Sequence, residues 1–461
     1  MALIVFGIFI LMSIVLALRA KAGGTSKSVH DFFVASGQFG SRLLFVLAAG
    51  EIYSIGTMVG FPGGIYAKGA TYGVWFIGYI LLAYPIGYFI GPKLWAVGKQ
   101  LGSITMPDLV RGYFSSRPAE LVVAVTSIIF MLPAGQLQFV GLVMALRALG
   151  LEFNPVWLVV FAAFLAFIYI IIAGVRASAY VSIQKDILMI LAIVITGVAV
   201  AVETGVGPVF AAASSSTNTA FTSNQLNFAM STIVFQALGF YCVPFSVQNF
   251  FTAKSADTIR RSQICMPLYM LMFPFLVLAS YYALSQNLHL SSPNEAFFAA
   301  VTGLLPSWLV GLVAAAASLA GLMSLAGICL AIGPIVSRNI IPNMPESRQK
   351  GAAKIVICAY LLLSIVMALK APNLMVTLIN MTYYGITQFA PLILAIVFGL
   401  RLQGRAVAAG VLAGQGFALV LYYMSPDLNG INLGLVALAL NLVVTAVVHL
   451  ASSSKRARLP A

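Results

Sequence analysis

The feature that most constrains this chain is a run of roughly 20 predominantly apolar residues that recurs about thirteen times along it. A helix needs about 20 such residues to cross the hydrocarbon core of a bilayer. In that core only structures that satisfy their own backbone hydrogen bonds survive. The runs centre near Ile10, Tyr53, Leu82, Phe130, Phe164, Ile193, Leu238, Phe275, Leu322, Leu361, Ala390, Leu412 and Leu440. Only 8% of the residues are charged, against about 25% in soluble domains. The reading is an all-α integral membrane protein with the bilayer as a partner. The polar stretch from Glu203 to Asn227 is Ser/Thr-rich and nearly uncharged, and it reads as an external loop.

The net charge of +14 does not mark a nucleic-acid binder, because the basic residues sit in short loops between apolar runs. With the N-terminus outside and sides alternating, the inner segments carry almost all of them. These hold Arg19, Lys27 and Arg42; Lys93, Lys99, Arg111 and Arg117; Arg176 and Lys185; Lys254 to Arg261; Arg338 to Lys354; Arg401 and Arg405; and Lys455 to Arg458. Only Lys68, Arg147 and Lys370 fall outside. That asymmetry follows the positive-inside rule, so the C-terminus is expected in the cytoplasm. Short loops and the absence of a processing segment suggest a cell inner (plasma) membrane. Cys242, Cys265, Cys329 and Cys358 lie in or beside apolar runs without metal-ligand spacing. No nucleophile and base stand in an enzyme-like motif, and no organic cofactor is expected.

Two runs are interrupted in the same way. Gly50, Ser54, Gly56, Thr57, Gly60 and Pro62 punctuate the second, and Gly239, Pro244 and Ser246 punctuate the seventh. They lie five spans apart, an odd offset that reverses orientation in the membrane. Paired discontinuous helices in corresponding halves point to the midplane site of a secondary transporter.

Several motifs then resemble the sodium:solute symporter family over nearly the whole chain. They are Asp31-Phe32-Phe33-Val34-Ala35-Ser36-Gly37, Gly60-Phe61-Pro62-Gly63 with Tyr66, and Met106-Pro107-Asp108-Leu109 with Tyr113-Phe114. Further along come Ala173-Gly174-Val175-Arg176-Ala177 and Gly385-Ile386-Thr387-Gln388-Phe389-Ala390-Pro391. Asp257 to Arg261 and Ser337-Arg338-Asn339-Ile340 look most like the monocarboxylate permease branch. The resemblance implies a five-plus-five inverted repeat with broken first and sixth core helices. Within a single transmembrane domain, 1–461, residues 1–20 form an extra N-terminal helix. The first repeat is 40–203, the inverted second repeat 226–400, and two C-terminal helices occupy 405–451.

The resemblance also implies a sodium site between the first and eighth core helices. Its ligands would be the carbonyls of Gly50 and Tyr53 and the hydroxyl of Ser324, since hard cations take oxygen ligands. Leu325 stands where a second hydroxyl is expected, and Val181-Ser182 stands where the family has Thr-Asp. Lys185 and Asp186 follow Ser182 at helical spacing. They are read either as part of the site, with Lys185 as a tethered cation, or as interfacial residues.

Glu51 is the one carboxylate deep inside an apolar run, and it lies in the broken helix. A charge at the bilayer centre costs at least about 2.5 kcal/mol, and intramembrane acids serve proton relays. Glu51 is therefore expected to couple a proton or help to bind a cation, with a packing role as the alternative. Ser54, Thr57, Gln136, Gln138, Gln236 and Gln388 are candidate solute-binding groups, or equally groups that hydrogen-bond one helix to another, since an amide in lipid needs a partner. Tyr53, Phe240 and Tyr241 are candidate gates or packing aromatics. The expectation is cation-coupled symport, by sodium or proton, of a small organic solute, with a monocarboxylate favoured. An uncoupled permease on the same fold, or a transporter-like sensor, is the alternative. A monomer would hold the whole site.

Overall fold

The computed structural model describes residues 1–22, 28–151, 154–172, 174–216, 221–370 and 374–456. Lys27, Ala173 and Arg458 lie outside them. Every regular element among the described residues is a helix, and an isolated bridge from Phe39 to Ala253 is the one β-type pairing among them. Ten helices are long and apolar enough to cross a membrane, and counting two bent pairs as one span each gives twelve. The remaining expected centre, Phe164, falls on the helix Pro155–Ile172.

The chain opens with α1 (Ala2–Ala22) and the short α2 (Val29–Val34). The first bent pair is α3 (Ser41–Ile52) followed, after a π turn at Gly56–Gly60, by α4 (Phe61–Lys68), and its halves meet at 49°. Tyr53 leaves helical geometry at ψ 85°. The Ser54 hydroxyl then accepts the Gly56 N–H at 2.9 Å. A short polar side chain thus satisfies a donor that the interrupted helix orphans.

Next come α5 (Ala70–Leu101), α6 (Met106–Phe114), α7 (Arg117–Ala148), α8 (Pro155–Ile172) and α9 (Val175–Thr204). The stretch expected as a loop from Glu203 to Asn227 is largely helical instead. Gly205 turns the chain at φ +75°, and α10 (Val206–Ser216) follows. Val209 and Ala213 are buried, and Phe210 packs edge-on against Tyr281. The apolar side chains inside a polar-looking stretch gave it a surface to dock on.

The second bent pair is α11 (Ser223–Gly239), extended by a turn of 3₁₀ helix to Cys242, and α12 (Pro244–Thr252), which meet at 50°. Its cause is readable in the sequence. Pro244 removes a backbone donor, and its ring drives the preceding residue out of helical geometry. Val243 accordingly sits at φ −65°, ψ 128°.

After α13 (Ala256–Cys265), α14 (Phe273–Ser285) and α15 (Ala296–Leu304), α16 (Ser307–Pro334) runs through the middle of the molecule. Of its most apolar stretch, 94% is buried. Its Ala, Gly and Ser residues let neighbouring backbones approach closely, and it packs against α1, α3, α7, α9 and α17 (Glu346–Lys370). The chain closes with α18 (Met375–Ile386), α19 (Ala390–Phe398), α20 (Gly404–Met424) and α21 (Leu433–Arg456).

Two pairs of the sequence motifs meet in space. Arg176 reaches Asp31 at 2.7 Å, tying α2 to the start of α9. Asp108 takes the Arg338 guanidinium at 3.2 Å and the Asn339 amide at 2.6 Å. Asn339 also donates to Glu120 at 2.9 Å and accepts from the Thr105 hydroxyl at 2.7 Å. Arg117 lies 2.7 Å from the same Glu120. This cluster fastens α6 and α7 to the end of α16. Nearby, burial and the Arg338 guanidinium hold His30 below the usual histidine range, so it adds little charge to this face at neutral pH. Because Asn339 is fully buried and a hydrogen bond to a charged group is worth about 1.5–3 kcal/mol, Asn339→Ala is expected to cost about 2–4 kcal/mol. The check is thermal unfolding in detergent, and a melting temperature equal to wild type would refute the assignment.

Candidate functional site

Both helix breaks open onto one cavity of about 120 Å³. The end of α3 and the turn after it supply Glu51, Ser54, Gly56 and Thr57, and the break before α12 supplies Val243 and Phe245. α7 contributes Gln138, α16 Ser324, and α18 Thr382 and Tyr383. Tyr79 and Tyr383 meet edge-on at 5.7 Å and close one side. The N-terminal ends of two half-helices, at Gly56 and at Phe245, therefore border the same small space. Such ends carry partial positive charge.

Glu51 is 3% exposed. Its carboxylate lies in a slot against α16, where Gly327 carries no side chain. A Cβ there would stand 2.5 Å from the Glu51 carboxyl carbon. One turn earlier on α16, the Ser324 hydroxyl donates to the Glu51 backbone carbonyl at 2.6 Å. From the other side, the Asn249 amide of α12 donates to Oε2 at 2.8 Å. No basic side chain pairs with Glu51 within 4 Å among the described residues, whereas Asp31, Asp108, Glu120 and Asp186 each have one.

Lys185 is fully buried. Its Nζ donates to the Tyr53 carbonyl at 2.9 Å and lies 2.7 Å from Asp186 Oδ1. The pair thus sits inside the protein, against the first helix break. The Tyr53 carbonyl is one that the break deprives of its helical partner. The ring of Tyr53 stacks on Tyr269 at 4.8 Å, and its hydroxyl bonds that of Tyr84. Two of the three oxygens expected to ligate sodium have hydrogen-bond partners. Tyr53 O is held by an ammonium, Ser324 Oγ is committed to a backbone carbonyl, and Gly50 serves as a contact point for α9. A Cβ at Gly50 would lie 2.3 Å from Ser182 Oγ.

Of the other sequence candidates, Ser54, Thr57 and Gln138 line the cavity. Gln136 donates to Met367 O on α17 at 3.3 Å, and Gln236 to Asn380 at 2.7 Å. Gln388 joins α18 to the last helix, through Gly434 O at 3.3 Å and Asn441 at 2.8 Å. Those three amides lie outside the lining. Phe240 packs edge-on to Tyr84. Tyr241 bonds Gln263 and stacks on Phe250. The sequence reading missed Asn249, Tyr79, Thr382 and Tyr383. Asn249 alone left a usable signal, as a polar residue in the second half of a broken helix.

A family model described as the sodium:solute symporter family matches residues 32–415. The chain belongs to the sodium:solute symporter family. The family carries solutes together with a cation, so this protein is a cation-coupled transporter and not an enzyme. Among its relatives, a Bacillus subtilis protein named "Uncharacterized symporter YhjB" is 27% identical, over 97% of this chain and 96% of that one. A Rhizobium johnstonii protein named "Monocarboxylate transport permease protein" is 28% identical with the same coverage. A solved structure of a Na⁺-coupled sialic acid symporter superposes with a TM-score of 0.80 over 97% of each chain, at 17% identity. That superposition shows the shared fold.

Proposed function

We propose that this symporter carries small monocarboxylates with a proton, by alternating access around the cavity between the two helix breaks. The observation that carries the reading is Glu51, a buried carboxylate on that cavity with an amide partner and, among the described residues, no basic one within 4 Å. Two unit negative charges about 4 Å apart repel by about 4 kcal/mol at an effective dielectric constant of about 20. A carboxylate solute beside ionised Glu51 meets repulsion of that order, and a proton on Glu51 removes it. By reciprocity the solute raises the affinity for the proton by the same factor. That mutual dependence is symport.

Lys185 favours the proton over sodium. Its ammonium already sits on the Tyr53 carbonyl at 2.9 Å, and a second cation there would meet repulsion of the same order. Two half-helix N-termini facing the cavity favour an anionic solute. The relative named as a monocarboxylate permease supports that class. Matching bends of 49° and 50° support an inverted repeat of 40–203 and 226–400. With the N-terminus outside, the cluster around Asp108 faces the cytoplasm.

The solute class is tested by counterflow in proteoliposomes. Unlabelled lactate or acetate inside the vesicles should drive entry of labelled pyruvate. Lactamide, which keeps the shape and loses the charge, should be about ten-fold weaker, the size of about 1–2 kcal/mol from the helix ends. Lactamide as effective as lactate would exclude carboxylate recognition.

A further inference from the structure

A second cavity, of about 220 Å³, shares no lining residue with the solute cavity. Three separate parts of the chain wall it. α2 brings His30, the end of α5 and the turn after it bring Trp95, Lys99 and Ser103, and the segment after α12 brings Lys254. Hydrogen bonds close the joints between these parts. The Trp95 indole N–H donates to the Ala253 carbonyl at 2.8 Å. The Phe39 N–H donates to the Thr252 carbonyl at 2.8 Å, and the Lys254 N–H to the Phe39 carbonyl at 3.0 Å.

The charge in this cavity is one-sided. Lys99 and Lys254 line it and no Asp or Glu does. Neither lysine has a carboxylate within 4 Å among the described residues. Asp31, next to His30, is answered by Arg176 at 2.7 Å. The Lys99 ammonium is held over the Trp95 ring, 4.9 Å from its centroid. The C-terminal ends of α5 and α12 bring about half a negative charge each, and two ammonium groups outweigh that sum. Ser103 is 4% exposed, and its hydroxyl has no hydrogen-bond partner. A hydroxyl buried in that way is costly, so a ligand that offers it an acceptor oxygen gains. We propose that this junction is a binding site for a phosphate group, supplied either as free inorganic phosphate or on the headgroup of an anionic phospholipid. A phosphate carries its negative charge on several strong acceptor oxygens, which suits ammonium and hydroxyl donors approaching from different elements. Bound there, it ties the end of α5 to the end of α12, the half-helix that borders the solute cavity. Basic pockets at helix ends and aromatic side chains at headgroup level both belong to lipid recognition, so the two sources of phosphate are tested side by side.

The experiment follows thermal unfolding of the full chain, purified in a neutral detergent at pH 7. One arm compares sodium phosphate with sodium chloride at equal sodium. The other compares added phosphatidylglycerol with phosphatidylcholine. A ligand that binds only the folded state stabilises it by mass action, so a rise in melting temperature of about 2–4 °C is expected in at least one arm. The double variant K99Q/K254Q should abolish the rise, and Ser103→Ala should at least halve it. Lys68→Gln, which removes a lysine outside the cavity, should keep it. A rise with inorganic phosphate assigns a free anion. A rise with phosphatidylglycerol alone, under the same pattern of variants, assigns a lipid headgroup. No rise in either arm, or an equal rise in wild type and K99Q/K254Q, overturns the proposal and leaves the lysines as counter-charges to two helix ends. If K99Q/K254Q does not fold, Ser103→Ala decides alone, and a full rise in S103A overturns the proposal.

Discussion

Glu51→Gln is expected to abolish uphill transport while leaving exchange in place. Glutamine keeps the size of the side chain and an oxygen and a nitrogen for Asn249, and it removes the site of protonation. A gradient of one pH unit stores about 1.4 kcal/mol per proton, enough for about ten-fold accumulation of a solute moved with one proton. The wild type should reach that ratio with the membrane potential clamped at zero. The variant should stop at an internal concentration equal to the external one, with counterflow still measurable. The stoichiometry follows from the buried charges. Glu51 is the one carboxylate that lines the cavity among the described residues, and Asp186, outside that lining, is paired with Lys185. One proton per monoanion makes the cycle electroneutral, so an imposed potential should not change the ratio. Uphill transport by E51Q, or accumulation that follows the potential, would remove Glu51 from the coupling step.

Lys185→Met should be among the most damaging single changes to stability. It strips Asp186 of its cation and the Tyr53 carbonyl of its donor, both buried inside the protein. Breaking a buried pair by removing one partner costs about 3–5 kcal/mol, because the other charge stays buried and unpaired. K185M should therefore lower the melting temperature sharply and fail to transport. The double variant K185M/D186N removes both charges and should recover most of the lost stability, since replacing a buried pair outright is often near neutral. Transport should stay impaired, because the break at Tyr53 still lacks its ammonium. A single variant as stable as wild type would mean the pair does not hold the first break.

The fold was legible where one residue type forces a local event. Pro244 breaks a helix wherever an apolar run places it, and Ser54 marks the other break by capping the N–H of Gly56. Glu51 stood out because a lone carboxylate in an apolar run has few structural uses. What stayed hidden depends on distance along the chain. Lys185 reads equally well as a membrane-edge lysine until Tyr53, 132 residues away, is seen 2.9 Å from it. Asn249 needs Glu51, 198 residues away, before it differs from any interhelical amide. Gln138 and Gln388 are the same residue type in similar surroundings. One lines the cavity and the other bonds the last helix, a distinction set by helix rotation alone. The stretch after Glu203 misled because its serines and threonines outweigh the few side chains, Val209 and Phe210 among them, that give α10 a face to pack.

The most direct test of the central claim is pyruvate uptake into proteoliposomes with proton and sodium gradients imposed separately, at zero membrane potential. Proton coupling through Glu51 predicts about ten-fold accumulation per inward pH unit, with or without sodium. Accumulation that needs a sodium gradient and ignores the pH gradient would contradict it, and would return the coupling site to a cation held despite the Lys185 ammonium.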